Sequence, residues 1–164
     1  MKPFAILLII LCIAALAGVG YLFVSANLSV TGIGCVATDA LDASETFQSM
    51  IGAVAADTFA GTVFSDPGAA DPAEYQFLTY TVRLKNNTFL PALAVELQIS
   101  PMEGDVLQPG DTMRHDLAAR SEGDFQVTLL TRKEMHNVRE ITITWYFWGM
   151  PFSLRTAYRP AAAP

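Results

Sequence analysis

Thioether and imidazole side chains lie next to each other twice in the second half of this 164-residue chain. One group is Met113-Arg114-His115, and the other is Met135-His136. Sulfur and imidazole ligands are those that Cu(I) prefers. The pattern supports the hypothesis of an exported copper-binding protein that uses the methionine and histidine of both groups. The competing interpretation is that the methionines fill gaps in a core and the histidines lie in polar loops.

A second candidate site is the aromatic run Trp145-Tyr146-Phe147-Trp148. Side chains alternate between the two faces of a strand, so two of these aromatics point inward and two point outward. We assign Trp145 and Phe147 to the core. Tyr146 and Trp148 are then either an exposed aromatic recognition patch or side chains that pack beneath a helix predicted over residues 43–56.

Motifs of the common enzyme classes do not occur in the sequence. It has no phosphate-binding glycine loop, no Gly-x-Ser-x-Gly, no His-Glu-x-x-His and no Cys-x-x-Cys. Four acidic residues have the oxygen ligands that Ca²⁺ requires, but their spacing differs from that of an EF-hand and favours a solvated acidic loop. These are Glu103, Asp105, Asp111 and Asp116. We therefore predict a non-enzymatic protein without catalytic residues and without a cofactor.

An uncharged run of 21 residues, from Phe4 to Val24, is the most distinctive segment of the chain. As a helix it would rise about 31 Å, which matches the hydrocarbon core of a bilayer. Lys2 precedes the run, and residues 3–82 contain seven acidic residues and no basic one. Because basic residues stay on the cytoplasmic side, we predict a single-pass protein of the cell membrane with a cytoplasmic N-terminus and an extracytoplasmic C-terminal domain.

The alternative is a signal peptide that is cleaved after Ala26, which would leave a secreted protein. The run is longer than the roughly 7 to 15 residues of a signal-peptide core, and this favours an uncleaved segment that contacts lipid through residues 4–24. Cys12 lies within the run, so Cys35 is the only cysteine outside it. Cys35 is then either a buried inert thiol or a partner in an intermolecular disulfide.

The chain divides into a membrane segment, residues 1–26, a domain, residues 27–159, and a short flexible tail, residues 160–164. The formal net charge of −6 argues against a nucleic-acid partner. An envelope protein is the kind of partner that an extracytoplasmic domain would meet. The pairs Gly104-Asp105, Gly110-Asp111 and Gly123-Asp124 are typical of turns within this domain.

The domain is predicted to be mainly β. Residues 27–38 suggest a first strand with a bulge near Gly32, and apolar residues alternate with polar ones in at least four later segments. Examples are Leu78, Tyr80, Val82 and Leu84, then Leu93, Val95, Leu97 and Ile99, and later Ile141, Ile143, Trp145 and Phe147. A turn at Gly149 leads into a terminal hairpin. This pattern predicts an antiparallel immunoglobulin-like β-sandwich.

One amphipathic helix is inserted among the predicted strands, over residues 43–56. Asp42 and Glu45 have the spacing of a capping box. An apolar stripe at helical spacing follows them and is predicted to face the core. The stripe consists of Phe47, Met50, Ile51 and Val54.

The segment Tyr80-Thr81-Val82-Arg83-Leu84-Lys85-Asn86, followed by Leu90-Pro91 and an alternating strand, resembles the water-stress (WHy) family of late-embryogenesis-abundant proteins. Members of that family are non-enzymatic immunoglobulin-like sandwiches and in bacteria are often exported. The family's Asn-Pro pair is Asn86-Asn87 here, and the similarity covers about 25 residues. The resemblance implies the fold and carries no specific activity. We therefore expect a membrane-anchored binding or structural module of the cell envelope, with copper binding as the alternative.

Overall fold

The computed structural model describes residues 2–25, 27–68, 71–111 and 115–159. It begins with a helix, α1 (Lys2–Ser25), that is long and apolar enough to cross a membrane. Its most apolar part, Pro3–Tyr21, has a mean hydropathy of 2.7, and 0% of that part is buried within the fold. None of the core in the described residues therefore depends on this helix.

The remainder is mainly β, with two antiparallel sheets and one further α-helix among the described residues. The elements are β1 (Leu28–Asp39), α2 (Ser44–Ala55), β2 (Gly61–Val63), a 3-10 turn (Pro72–Glu74), β3 (Tyr75–Asn86), β4 (Ala92–Ile99), β5 (Asp105–Pro109), β6 (His115–Leu117), β7 (Glu122–Arg132), β8 (Arg139–Phe147) and β9 (Met150–Tyr158). The first sheet has the strand order β1-β3-β7-β5-β2, and the second has the order β6-β4-β8-β9.

The two sheets enclose a common apolar core. Alternate residues of β3, such as Tyr80 and Val82, are fully buried against alternate residues of β8, such as Ile143 and Trp145. Trp145 stacks on Phe152 of the neighbouring strand, with ring centroids 6.1 Å apart. The alternation predicted for β3 and β8 is confirmed, including the core positions of Trp145 and Phe147.

A smaller apolar cluster lies between α2 and the outer face of the first sheet. Phe47 of α2 is fully buried, and Met50, Ile51 and Val54 are partly buried beside it. Their partners in the sheet include Phe77, whose neighbour Leu78 faces the opposite way into the main core. The predicted core-facing stripe is therefore confirmed.

The predicted capping box of α2 is wrong. Asp42 and Ala43 both donate a backbone hydrogen bond to the carbonyl of Asp39, which holds them in a turn. The helix consequently starts one residue later, with Ala43 as the N-cap and no side-chain cap. Glu45 then occupies the second position of the helix, where it cannot reach back to complete the box.

Two details of the strands depart from the sequence pattern. Gly123 and Asp124 were expected in a turn but lie within β7, paired with Leu84 and Arg83 of β3. In β4 a bulge at Ala94, with φ of 48°, breaks the alternation. Because of this bulge Ala92 is buried in the place expected for Leu93, which is only half-buried. The bulge predicted in β1 is present between Val30 and Gly32.

Candidate functional site

The antiparallel topology gathers three connections at the end of the domain where β1 starts. Leu28 at the start of β1 pairs with Asn86 at the end of β3, and Leu93 near the start of β4 pairs with Tyr146 near the end of β8. The connections at this end are residues 87–91, residues 118–121 and the two-residue turn between β8 and β9. We call this part of the molecule, with the first residues of β1, the aromatic end.

The β8–β9 hairpin places a tryptophan at its tip. Phe147 pairs with Met150, so Trp148 and Gly149 form the turn, with φ of 49° and 76°. Positive φ at both positions is the signature of a type I′ turn, for which Asn-Gly is the preferred pair. A bulky aromatic residue is uncommon in this backbone region. Half of the Trp148 side chain is nevertheless exposed to solvent.

A second exposed aromatic side chain, Phe89, is held by an arginine. The Arg120 guanidinium carbon lies 3.9 Å from the centroid of the Phe89 ring. The backbone N–H of Arg120, which also has a positive φ of 52°, donates to the Thr88 carbonyl over 3.1 Å. The ring remains 69% exposed. The two loops thus hold an aromatic ring and a cation together on the surface.

Asn86 fixes these two loops to each other from inside. Its amide nitrogen donates to the carbonyls of Leu90, at 2.7 Å, and Ala118, at 3.0 Å, and its amide oxygen accepts from the backbone and hydroxyl of Thr88. The side chain is fully buried. Since a buried amide requires such partners, Asn86 determines the shape of the loop that carries Phe89.

Charge is scarce at the aromatic end. Residues 27–31, 86–91, 118–121 and 148–151 contain one charged side chain between them, Arg120. The nearest charges along the strands are Lys85 and Glu122, which form an ion pair of 3.2 Å. The acidic excess of the chain therefore lies elsewhere.

The opposite end of the domain, called here the far end, comprises residues 39–45, 71–74, 100–104 and 133–140. Its acidic residues include Asp39, Asp42, Glu45, Asp71, Glu74 and Glu103. Lys133, in the segment after β7, forms an ion pair there with Asp39 of β1 over 3.2 Å. The two ends thus differ in character, one aromatic and nearly uncharged, the other acidic.

The structure decides between the two interpretations of the aromatic run. Tyr146 is 39% exposed and Trp148 is 50% exposed. The helix α2 instead packs on the first sheet, against Phe77 and its neighbours. The alternative in which Tyr146 and Trp148 lie beneath this helix is therefore wrong, and both side chains are exposed to solvent.

Of the proposed copper ligands that the structure describes, His115 lies apart from Met135 and His136. His115 lies near the middle of the domain, where its ring contacts Phe125 edge-on and its Nε2 atom is 2.9 Å from Asp111 Oδ2. Met135 and His136 follow β7, and a strand separates Phe125 from Met135 by about 20 Å or more. Met113 lies outside the described residues.

Within the described ranges no three histidine, cysteine or carboxylate side chains cluster as metal ligands. The four acidic residues that were considered as calcium ligands, and interpreted as a solvated loop, differ in their surroundings, because Asp105 is buried against Arg139. Glu103 is exposed in the turn before it. One residue of the acidic loop suggested by the sequence, Asp105, therefore belongs to an ion pair inside the domain.

A cleft of about 680 Å³ opens between β7, β4 and α2. Two of its polar side chains are engaged in bonds within the fold: Gln108 accepts from the Ile99 N–H and donates to the Leu97 carbonyl, and Asp124 pairs with Arg83 at 2.7 Å. The Arg83 hydrogen bond lowers the pKa of Asp124. These groups stabilise strands and are not free to orient a small molecule.

The Cys35 thiol belongs to another set of polar groups, which lies inside the domain. Cys35 is half-buried on β1, where burial raises its pKa and a hydrogen bond with Tyr80 lowers it. The Tyr80 hydroxyl donates to the Asn137 carbonyl over 2.9 Å, and burial raises its pKa well above the ordinary value. A thiol with a raised pKa is a poor nucleophile. This arrangement favours the inert-thiol interpretation of Cys35.

Comparison with models of known protein families and with curated proteins finds no match to this chain. The candidate site therefore rests on its own geometry. The sequence pattern predicted Tyr146 and Trp148 as candidate binding residues but not Phe89 or Arg120. The signal available for these two was an uncharged aromatic loop, residues 87–91, next to a short loop with a single basic residue.

Proposed function

We propose that this chain is a single-pass membrane protein, with its N-terminus in the cytoplasm, that presents an extracytoplasmic binding or structural module of the cell envelope. The observation that carries the proposal is the helix α1, which combines a mean hydropathy of 2.7 over Pro3–Tyr21 with no burial inside the fold. Such a helix needs another apolar environment, and a bilayer is the one that its length matches.

The distribution of charge supports the orientation. Lys2 is the only basic residue before Arg83, and the acidic residues that follow α1 add a charge of −7 before it. Retention of positive charge on the cytoplasmic side favours export of the C-terminal domain.

The strand order supports an immunoglobulin-like sandwich. The constant-type immunoglobulin fold has sheets of order A-B-E-D and C-F-G. If strands A to G are β1, β3, β4, β5, β7, β8 and β9, both orders are reproduced, with β2 and β6 as additions at two edges. Domains of this kind bind partners through loops at their ends. The loops of the aromatic end are the ones with exposed aromatic side chains.

Membrane fractionation tests the proposal. The full chain, expressed in a bacterium, should sediment with membranes, resist extraction at alkaline pH and retain residues 1–26 when its intact mass is measured. A soluble cytoplasmic chain would contradict the proposal. A mature protein that starts at Asn27 in the secreted fraction would establish the signal-peptide alternative instead.

Partner capture tests the module itself. Crosslinking on native membranes, followed by mass spectrometry, should recover an envelope protein with the wild-type chain. A variant altered at the end of the domain that binds this partner, either the far end or the aromatic end, should recover less of it. Copper binding remains the alternative hypothesis and predicts Cu(I) uptake that the double variant Met113→Ala/His115→Ala abolishes.

A further inference from the structure

We propose that the aromatic end of the domain docks on the surface of the bilayer that holds α1, with Trp148 and Phe89 inserted at the level of the lipid headgroups. The inference rests on the proposed membrane anchor and names its direct partner, the lipid interface. It is carried by four observations about the described residues: the short connection to α1, the exposed aromatics, the distribution of charge and the backbone of the hairpin tip.

The connection between α1 and the domain is short. The helix ends at Ser25 and β1 begins at Leu28, so their Cα atoms are at most about 11 Å apart. The interfacial layer on each side of the hydrocarbon core is itself about 5 to 7 Å thick. The end of the domain where β1 starts must therefore lie at or near the headgroups when α1 spans the bilayer.

The exposed aromatic side chains lie at that same end. β1 and β9 are in contact, and both start there, which puts the β8–β9 turn beside the point where the chain leaves α1. Trp148 is 50% exposed at this turn, and Phe89 is 69% exposed on the adjacent loop. Tryptophan is enriched at membrane interfaces because its ring is apolar and its N–H is polar.

The distribution of charge fits an anionic lipid surface. The only charge within the loops of the aromatic end is that of Arg120, which lies against the Phe89 ring. A basic side chain near the surface of an anionic membrane contributes about 1 kcal/mol to binding. Eight of the 16 acidic residues, including Asp42 and Glu103, lie at the far end, where repulsion from the membrane is weakest. Glu122, which adjoins the aromatic end, is paired with Lys85.

The backbone at Trp148 is the observation that points to function rather than stability. A type I′ turn is most stable with Asn before glycine, yet this turn places an exposed tryptophan at φ of 49°. Unfavourable backbone conformations concentrate at functional sites. Contact with the membrane would explain why a tryptophan occupies this position, whereas exposure to solvent alone would not.

Tryptophan fluorescence of the full chain in vesicles tests the docking. The chain has two tryptophans, Trp145 in the core and Trp148 at the hairpin tip, so the difference between wild type and Trp148→Asn isolates the emission of Trp148. The vesicles contain phosphatidylcholine and phosphatidylglycerol, with a fraction of lipid brominated near the headgroup end of the acyl chains. We expect brominated lipid to quench the Trp148 emission. We also expect the bilayer to protect Trp148 from quenching by acrylamide.

A matched reporter at the far end provides the control. Leu41 is 56% exposed there, and the double variant Trp148→Asn/Leu41→Trp moves the exposed tryptophan away from the bilayer. The emission of this introduced tryptophan should still be quenched by acrylamide and should not be quenched by brominated lipid. Equal responses of the two reporters would overturn the docking. Shielding of Trp148 without bromine quenching would also overturn it, since the tryptophan would then contact protein.

Flotation of the same vesicles separates the two proposals. If the chain floats with lipid and Trp148 does not respond to brominated lipid, the anchor stands and the docking is wrong. If the chain fails to float, the anchor itself is wrong and the docking is lost with it. Trp148→Asn places a favourable residue in the turn, so an unfolded variant is not expected to obscure the result.

Discussion

Arg139 and Asp105 form a bidentate ion pair that joins the two sheets inside the domain. Arg139 Nη2 lies 2.7 Å from Asp105 Oδ1, and Arg139 Nε lies 3.1 Å from Asp105 Oδ2. Their side chains are 1% and 0% exposed. The two side chains form further hydrogen bonds with the backbone. Arg139 Nη1 donates to the carbonyls of His136 and Val138, and Asp105 Oδ2 accepts from the Met102 N–H.

Removal of one partner of this ion pair should destabilise the domain strongly. Arg139→Met leaves the Asp105 carboxylate buried without its counter-charge, for which we expect a loss of about 3–5 kcal/mol. Urea unfolding of the full chain in detergent, followed by circular dichroism, measures it. The double variant Arg139→Met/Asp105→Leu should recover much of the loss. If the single variant were as stable as wild type, the pair would not be buried as described.

Asn86 should be far more sensitive to substitution than its neighbour Asn87. Asn86→Ala removes hydrogen bonds from several buried backbone groups of the loops at the aromatic end, and we expect a loss of at least about 2 kcal/mol. Asn87 is exposed and its amide nitrogen donates to the Ser29 hydroxyl at the surface, so Asn87→Ala should change stability by less than about 0.5 kcal/mol. Equal effects in the same urea titration would contradict the assigned role.

Trp148→Asn should raise the stability of the domain. Asparagine tolerates positive φ and precedes glycine in the preferred type I′ turn, so we expect a gain of about 0.5–1 kcal/mol. Trp148→Ala provides the control, because it removes the ring without relieving the backbone. Thermal unfolding of the three proteins in detergent measures the difference. A gain with alanine equal to that with asparagine would mean that the ring, and not the backbone, is unfavourable.

Cys35 should react slowly with alkylating agents. Burial raises its pKa above the ordinary value, so a smaller fraction is thiolate at pH 8 than for an exposed thiol. The matched control is Val36→Cys in a Cys35→Ala chain, since Val36 is 64% exposed on the same strand. With Cys12→Ala in both, iodoacetamide should modify the control several-fold faster. Comparable rates, or spontaneous dimers through Cys35, would favour the intermolecular disulfide.

The parts of the fold that alternate in sequence were predictable. In β3 the residues from Leu78 to Leu84 alternate strictly, because one side of this strand faces the core and the other faces solvent. Where both sides are covered, alternation fails: Phe77 and Leu78 are both buried, as are Leu129 and Leu130, because α2 covers the outer face there. Periodicity alone does not report such double coverage.

Two strands and most of the candidate site were not predictable from local patterns. β5 and β6 are short, and a stretch such as Asp105–Pro109 becomes a strand through pairing with β7 rather than through its own composition. Phe89 and Arg120 lie 31 positions apart and meet only because Asn86 ties their loops together. The exposure of Tyr146 was predictable, since alternation along β8 specified that it points outward. Trp148 is exposed as predicted, but because it lies in the turn after β8 and not because of alternation.

The orientation of the chain in the membrane is the central claim, and protease protection with a tag at each end tests it most directly. Uncharged epitope tags are placed before Met1 and after Pro164, and spheroplasts are treated with a protease that cannot cross the cytoplasmic membrane. We predict that the C-terminal tag is digested while the N-terminal tag stays protected until the membrane is dissolved. Protection of both tags, or digestion of the N-terminal tag alone, would contradict the account.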